Sequence, residues 1–170
     1  MGLPNVLTIF RLVLIPFFIY AMYLGYNVVA LCLFGVAAIT DWLDGYVARS
    51  SSCVTDMGRL MDPLADRLLI MTALVMLAIK SQLSLFIVIV VILRDLFAMI
   101  GAQYMRLRNK EIAVTYLGKT ATAILMVSII LLIAGINFGL WLFYLGFFLC
   151  LVSFGDYVRR AFFILRYEEG

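Results

Sequence analysis

The chain has 170 residues, of which 66% are hydrophobic and 14% charged, and its mean hydropathy is +1.13. A soluble domain is about half apolar and about a quarter charged, so an ordinary soluble globule, a disordered chain and a nucleic-acid-binding domain are excluded. The absence of histidine also excludes histidine-dependent catalytic triads and histidine-ligated zinc. The composition predicts an all-α integral membrane protein whose single domain covers residues 1–170.

Apolar stretches separated by turn signals predict a bundle of six transmembrane helices. A Gly-Tyr-Asn signal at 25–27 divides the first long apolar stretch, and a Gly-Ile-Asn-Phe-Gly signal at 135–139 divides the last one. The helices are predicted at about 7–24, 28–49, 57–79 and 83–105 and in the two halves of 120–155.

The distribution of Lys and Arg predicts the orientation, because cytoplasmic loops carry an excess of these residues. With six spans, both termini lie on one side. That side would hold Arg11, Arg49, Arg59, Arg106, Arg108, Lys110, Lys119, Arg159, Arg160 and Arg166. The opposite loops hold only Lys80. We therefore expect an inner or plasma membrane protein whose termini and loops 50–57 and 106–117 face the cytoplasm.

Four aspartates form the most unusual feature of the sequence. They are Asp41 and Asp44 on the second predicted helix and Asp62 and Asp66 on the third. Because a helix turns by about 100° per residue, each pair falls on one face of its helix. A carboxylate in a membrane helix costs about 3 kcal/mol even on the gentler scales, so such residues need an interior partner and are functional by default.

Four ionised carboxylates carry a combined charge of −4, which two divalent cations would balance. Oxygen ligands without His or Cys suit Mg²⁺, Mn²⁺ or Ca²⁺ rather than zinc. Two such ions commonly clamp a pyrophosphate. Gly45, Ala48 and Gly58 share faces with the carboxylates and leave room for a ligand. Arg49 is placed where a guanidinium could contact phosphate oxygens.

Two alternatives assign these residues other roles. In the first, the aspartates form surface ion pairs with Arg49, Arg59 and Arg67, the glycines allow close helix packing, or the charges serve membrane topology alone. Three arginines, however, cannot balance four motif aspartates plus Asp56. In the second, the chain is a divalent-cation transporter with the aspartates as its ion path. A path needs polar groups at several depths, whereas this acidic cluster lies near one face.

The region 41–66 matches the pattern D-x-x-D-G-x-x-A-R-x8-G-x-x-x-D-x-x-x-D at every fixed position. The chain therefore resembles the CDP-alcohol phosphotransferases. This resemblance implies an enzyme that transfers a phosphatidyl group from CDP-diacylglycerol to an alcohol, releases CMP and uses two divalent cations, commonly Mg²⁺ with Mn²⁺ possible. It also implies that the four aspartates bind metal and that Asp66 is the catalytic base. The implied CDP-donor residues are Asp44, Gly45, Ala48, Arg49 and Gly58.

The acceptor alcohol is indicated by weaker signals. The segment from Pro4 to Arg11 resembles the P-N-x-L-T-x-x-R start common in phosphatidylglycerophosphate synthases and their cardiolipin synthase relatives. An amphipathic helix start with an interfacial arginine would look the same. The candidate acceptor-phosphate residues are Arg94, Arg106, Arg108 and Lys119. A topology signal would also explain the last three, and an internal ion pair with Asp95 would also explain Arg94.

Two departures from the glycerophosphate pattern keep a second acceptor open. Leu-Arg-Asp at 93–95 stands where R-E is typical, and Gly-Lys-Thr-Ala-Thr-Ala at 118–123 stands where G-K-x-K-T is typical. Both look somewhat like cardiolipin synthases. The sequence favours glycerol 3-phosphate as acceptor, with phosphatidylglycerol second and inositol phosphate or serine behind. Expected partners are CDP-diacylglycerol, a small polar or lipid alcohol, membrane lipids and a second copy of the chain, with no nucleic acid.

Overall fold

The computed structural model describes residues 3–48, 56–107 and 116–166, with side chains over 9–40, 67–103, 105 and 116–160. The described residues form six α-helices and no strand. The helices are α1 (Leu3–Tyr23), α2 (Asn27–Ala48), α3 (Asp56–Ile79), α4 (Leu85–Leu107), α5 (Tyr116–Ile133) and α6 (Phe138–Arg166). The predicted all-α class and the six helices are confirmed, and α6 runs beyond the predicted apolar stretch to Arg166.

Two glycines end helices where the sequence predicted turns. Gly25 has φ = 81° and Gly135 has φ = 78°, a left-handed conformation that glycine adopts without steric cost. After α1, the Tyr26 amide donates to the Ala21 carbonyl at 2.9 Å. After α5, the Ile136 amide donates to the Leu131 carbonyl at 2.9 Å. These bonds satisfy carbonyls that a helix end leaves open, so each turn joins two helices within a few residues.

The chain divides into two compact units. Unit 1 comprises Met1–Gln82 with Ile133–Gly135, and unit 2 comprises Leu83–Leu132 with Ile136–Gly170. In unit 1, α1 packs against both α2 and α3. Its core combines Phe18 and Met22 from α1, Ala30, Phe34 and Ala37 from α2, and Leu69, Ala73, Leu74 and Leu77 from α3. The prediction of a single domain stays a prediction.

Unit 2 is built on close approaches of α6 to α4 and to α5. A Cβ at Gly101 on α4 would lie 3.1 Å from the Tyr157 hydroxyl oxygen on α6. A Cβ at Gly146 on α6 would lie 3.1 Å from Ile124 Cγ2 on α5. Glycine therefore lets both pairs of helices pack more closely than any larger residue would.

Three helices are long and apolar enough to cross a membrane, judged over the side chains given above. They are Leu85–Gln103, Tyr116–Ile133 and Phe138–Arg160. The corresponding stretches of the other helices are shorter, namely Ile9–Tyr23, Asn27–Thr40 and Arg67–Ile79. Over these residues the criterion supports three of the six predicted spanning helices. In α1, α2 and α3 the described apolar stretch is bounded by Ile9, Thr40 and Arg67, where the described side chains end.

Candidate functional site

The aspartates of α2 continue the buried face of that helix. Ala30, Phe34 and Ala37 are each 0% exposed and follow one another at intervals of four and three residues. Positions 41, 44 and 48 extend this register toward the end of α2 at Ala48. Positions that recur every three or four residues share one side of a helix. The backbone therefore places Asp41 and Asp44 in line with the core-facing side of α2.

The aspartates of α3 follow the same rule. Ile70, Ala73 and Leu77 are buried in the core of unit 1. Asp66 precedes Ile70 by four residues, and Asp62 precedes Asp66 by four. Both positions thus lie on the core-facing side of α3 by the helical period. The predicted arrangement of acidic stripes on one face of each helix agrees with the register of the buried residues beside them.

The two acidic stretches approach the same chain connection. Residues 49–55 join the end of α2 at Ala48 to the start of α3 at Asp56. Asp41 lies seven residues before that end, and Asp62 lies six residues after that start. At about 1.5 Å of rise per residue, each is about 10 Å along its helix from the connection. Both helices also contact α1, so the aspartates belong to one compact unit.

The donor set fits hard divalent cations. The four residues offer carboxylate oxygens only, and Mg²⁺ or Mn²⁺ prefers oxygen to nitrogen or sulfur ligands. Among the side chains described over 9–40, 67–103, 105 and 116–160, no cluster of three or more His, Cys, Asp or Glu forms. The side chains of Asp41, Asp44, Asp62 and Asp66 lie outside those ranges, so their metal coordination stays a prediction.

The predicted donor-binding residues divide between helix and connection. Gly45 and Ala48 lie in the last turns of α2, and Gly58 lies in the first turn of α3. Arg49 lies outside the described residues. Gly45 and Ala48 have the smallest side chains in this part of α2, so the backbone can approach a ligand there more closely than a larger residue would permit.

The sequence placed Arg11 on α1 in the N-terminal likeness and among the basic residues of the cytoplasmic side, and the structure shows that its side chain is buried. Arg11 is 1% exposed and lies in the third turn of α1. An arginine at the membrane interface extends its charge into water, so the interfacial interpretation does not describe this residue. Its spacing from Phe18 and Met22, seven and eleven residues, was the signal in the sequence that could have revealed the burial.

Arg94 in the middle of α4 forms an ion pair. Its Nη1 donates to Asp95 Oδ1 at 2.6 Å, and the two side chains are 11% and 9% exposed. The guanidinium carbon also lies 6.0 Å from the centroid of the Phe154 ring on α6. The internal ion pair, one of two alternatives for this residue, is thus present. The acceptor-phosphate role of Arg94 stays a prediction.

We expect Arg94→Met to lower the free energy of unfolding by about 3 kcal/mol, because it leaves the buried Asp95 charge without this partner. Arg160 is the matched control, since its pair with Asp156 on α6 is half-exposed at 51% and 33%. Arg160→Met should change stability by less than about 0.5 kcal/mol. Chemical denaturation of the purified protein in detergent measures both. Equal shifts for the two variants would show that the Arg94 pair is not a buried structural element.

The structure describes the other predicted acceptor-phosphate residues in less detail than Arg94. Lys119 in the first turn of α5 is exposed, and its Nζ lies 6.0 Å from the centroid of the Tyr116 ring. Arg106 lies in the last turn of α4, with its side chain outside the described ranges, and Arg108 lies outside the described residues. The acceptor site therefore rests on sequence position alone.

Comparison with known sequences adds a finding that covers most of the chain. The family model described as CDP-alcohol phosphatidyltransferase matches residues 1–152. A relative from Sodalis glossinidius (strain morsitans) is 34% identical over 146 residues, which cover 78% of this chain and 77% of the relative. A relative from Salmonella typhimurium is 32% identical over 165 residues, with 89% and 86% covered. Both relatives are named CDP-diacylglycerol--glycerol-3-phosphate 3-phosphatidyltransferase.

A third relative matches a shorter part of the chain. The protein of that same name from Pseudomonas fluorescens is 48% identical over 80 residues, 45% of this chain and 41% of its own length.

Proposed function

Because the chain belongs to the CDP-alcohol phosphatidyltransferase family, we propose that it transfers the phosphatidyl group of CDP-diacylglycerol to glycerol 3-phosphate. The products are phosphatidylglycerol phosphate and CMP. The observation that carries this proposal is the complete four-aspartate motif on the core-facing sides of α2 and α3. The relatives named for this reaction support the choice of acceptor, since they align over most of their own length.

The donor is held by the two helix ends of unit 1. Gly45, Ala48 and Gly58 leave space for the cytidine and its ribose. Arg49 and Asp44 complete this donor site, with the Arg49 guanidinium on the phosphates, where a forked donor matches their oxygens. The donor's lipid chains remain in the bilayer, so the reacting phosphorus is presented at the membrane surface.

Asp41, Asp44, Asp62 and Asp66 would hold two Mg²⁺ ions, with Mn²⁺ as the alternative. Bound cations of this kind supply positive charge to the donor diphosphate as CMP departs. The chain's own contribution is to fix four carboxylates on two helices that are packed on α1, so the ligands need little rearrangement when the substrate binds.

Asp66 acts as the general base. The acceptor hydroxyl oxygen forms a bond to the phosphatidyl phosphorus, and the bond from that phosphorus to the CMP oxygen breaks. The hydroxyl proton passes to an Asp66 carboxylate oxygen. Asp66 suits this role because it lies one turn farther from the connection than Asp62, on the same side of α3.

The proposal includes six membrane crossings with both termini and the active site on the cytoplasmic side. Ten of the basic residues fall on that side by sequence position, against Lys80 in the opposite loops. A homodimer and contacts with anionic lipids are part of the same proposal.

A parallel acceptor assay tests the function most directly. Purified protein receives CDP-diacylglycerol and Mg²⁺ with glycerol 3-phosphate, phosphatidylglycerol, inositol phosphate or serine, and CMP release and lipid products are measured. We expect glycerol 3-phosphate to support a rate at least about tenfold above the others. Serine lacks a phosphate, phosphatidylglycerol carries only a phosphodiester, and inositol phosphate is larger than a site shaped for glycerol 3-phosphate.

Phosphatidylglycerol is the second candidate, favoured by the segments 93–95 and 118–123, and cardiolipin as the main product would establish it. Absence of CMP release with every acceptor would contradict the enzyme and favour the transporter alternative. Uptake of Mn²⁺ into proteoliposomes is the companion measurement for that outcome.

A further inference from the structure

A buried guanidinium on α1 needs an acidic partner. Arg11 is 1% exposed and shares the core-facing side of α1 with Phe18 and Met22, which are 0% and 1% exposed. A charge removed from water inside a membrane protein is stable only when it is paired. Unit 1 offers few acids for this pairing. The acidic residues between positions 1 and 82 are Asp41, Asp44, Asp56, Asp62 and Asp66.

The contact between α1 and α2 shows which residue of α2 lies at the same height along the helix pair as Arg11. The rings of Phe18 and Phe34 pack with their centroids 5.9 Å apart. The two helices run in opposite directions, because a turn of three residues joins them. Arg11 lies seven residues before Phe18, and Asp41 lies seven residues after Phe34. Seven residues make about two helical turns, so Arg11 lies on the same face of α1 as Phe18, and Asp41 lies on the same face of α2 as Phe34. Because the helices are antiparallel, Arg11 and Asp41 are both displaced by about 10 Å in the same direction from the Phe18–Phe34 contact.

We propose that Arg11 is the positioning residue for Asp41, holding its carboxylate in an ion pair on the core-facing side of α2. Part of the consequence rests on the proposed function, since Asp41 is there a metal ligand. The pair reduces the charge of the aspartate cluster from −4 to −3 before a cation binds. It also fixes the direction of one carboxylate, as outer partners do for metal ligands in general. The pairing itself requires no catalytic activity.

A double-mutant cycle tests the pair without substrate. Thermal unfolding of the purified chain in excess chelator is measured for the wild type, Arg11→Met, Asp41→Asn and the double variant. We expect Arg11→Met to lower the melting temperature by about 6–12 °C. The double variant should melt no lower than Arg11→Met alone, because the second change removes the charge that the first left unpaired.

Lys80 provides the matched control. It belongs to the same unit and donates to Asn27 Oδ1 at 3.2 Å, at the opposite end of α2. Lys80→Met combined with Asp41→Asn should give additive shifts. If Arg11→Met and Asp41→Asn are also additive, the pairing is wrong. If Arg11→Met yields no folded protein, recovery of monodisperse protein on adding Asp41→Asn supports the pair, and failure to recover it contradicts the pair.

A second measurement separates positioning from simple charge balance. Mn²⁺ binding to Arg11→Met is followed by calorimetry, with no CDP-diacylglycerol present. Loss of the partner that directs Asp41 should weaken Mn²⁺ binding by about tenfold or more. Stronger Mn²⁺ binding would mean that Arg11 only repels the cation, and the positioning role would be overturned. The cycle and the acceptor assay can fail independently. If Arg11 and Asp41 are coupled but the protein does not use glycerol 3-phosphate, the proposed acceptor is wrong and the ion pair still holds.

Discussion

Asparagine at Asp41, Asp44 or Asp62 is expected to abolish CMP release from CDP-diacylglycerol, by about a thousandfold or more, while the helices stay folded. Each change removes one negative charge from a cluster whose cations would provide several kcal/mol of charge stabilisation. Asparagine keeps the size of the side chain, so packing along the buried faces of α2 and α3 should be little affected. Asp41→Asn also removes the proposed partner of Arg11, so this variant should melt at a lower temperature than the other two. Turnover in detergent and the circular dichroism of each variant are the two measurements.

Asp156→Asn is the control for this series. Asp156 lies on α6 in a half-exposed pair with Arg160, outside the motif. Its loss should leave turnover within about twofold of the wild type, because surface pairs contribute little. Excess chelator added to the wild-type protein should abolish turnover as the motif variants do. Full turnover in chelator, or unchanged Mn²⁺ affinity in all three motif variants, would exclude the aspartates as a metal site.

Asp66→Asn should separate donor binding from turnover. We expect the affinity for CDP-diacylglycerol to stay within a few-fold, because the amide preserves size and one oxygen ligand. Single turnover should fall by about a hundredfold or more, the usual effect of losing a general base. The reason is that a carboxylate only partly engaged with metal can still accept the proton of the attacking hydroxyl, whereas an amide cannot.

The same preparation of Asp66→Asn should be used for both measurements, with Asp62→Asn beside it. Loss of donor affinity equal to that of Asp62→Asn would make Asp66 a ligand and no more. Turnover near the wild-type value would exclude it as the base and leave a substrate phosphate as the better proton acceptor.

Much of the fold was predictable because its causes are local. The turns that follow α1 and α5 depend on Gly25 and Gly135, which adopt positive φ, and such residues are visible in the sequence. The motif from Asp41 to Asp66 was equally visible, since helical spacing alone places its members on one face of α2 and of α3. The family match over residues 1–152 confirms the resemblance that this motif indicated.

The number of spanning helices depends on more than a count of uncharged residues. That count predicts six spans, and the described side chains of α4, α5 and α6 form stretches long and apolar enough to cross a membrane. The helices α2 and α3 carry the four aspartates beside their apolar residues. Because a carboxylate in contact with lipid is costly, the sequence of these two helices does not by itself determine how they cross a membrane.

Tertiary packing decided the two questions that charge patterns left open. An arginine near a membrane surface can extend into water or turn inward, and only the contact of α1 with α2 and α3 places Arg11 in the core. Neighbouring residues on a helix do not face each other, so the sequence of α4 alone could not establish the pair of Arg94 and Asp95. Phe154 of α6 packs near that guanidinium. Sequence thus determined which residues carry charge and on which helix face, whereas burial, which makes a charge require a partner, depended on the helices packed around it.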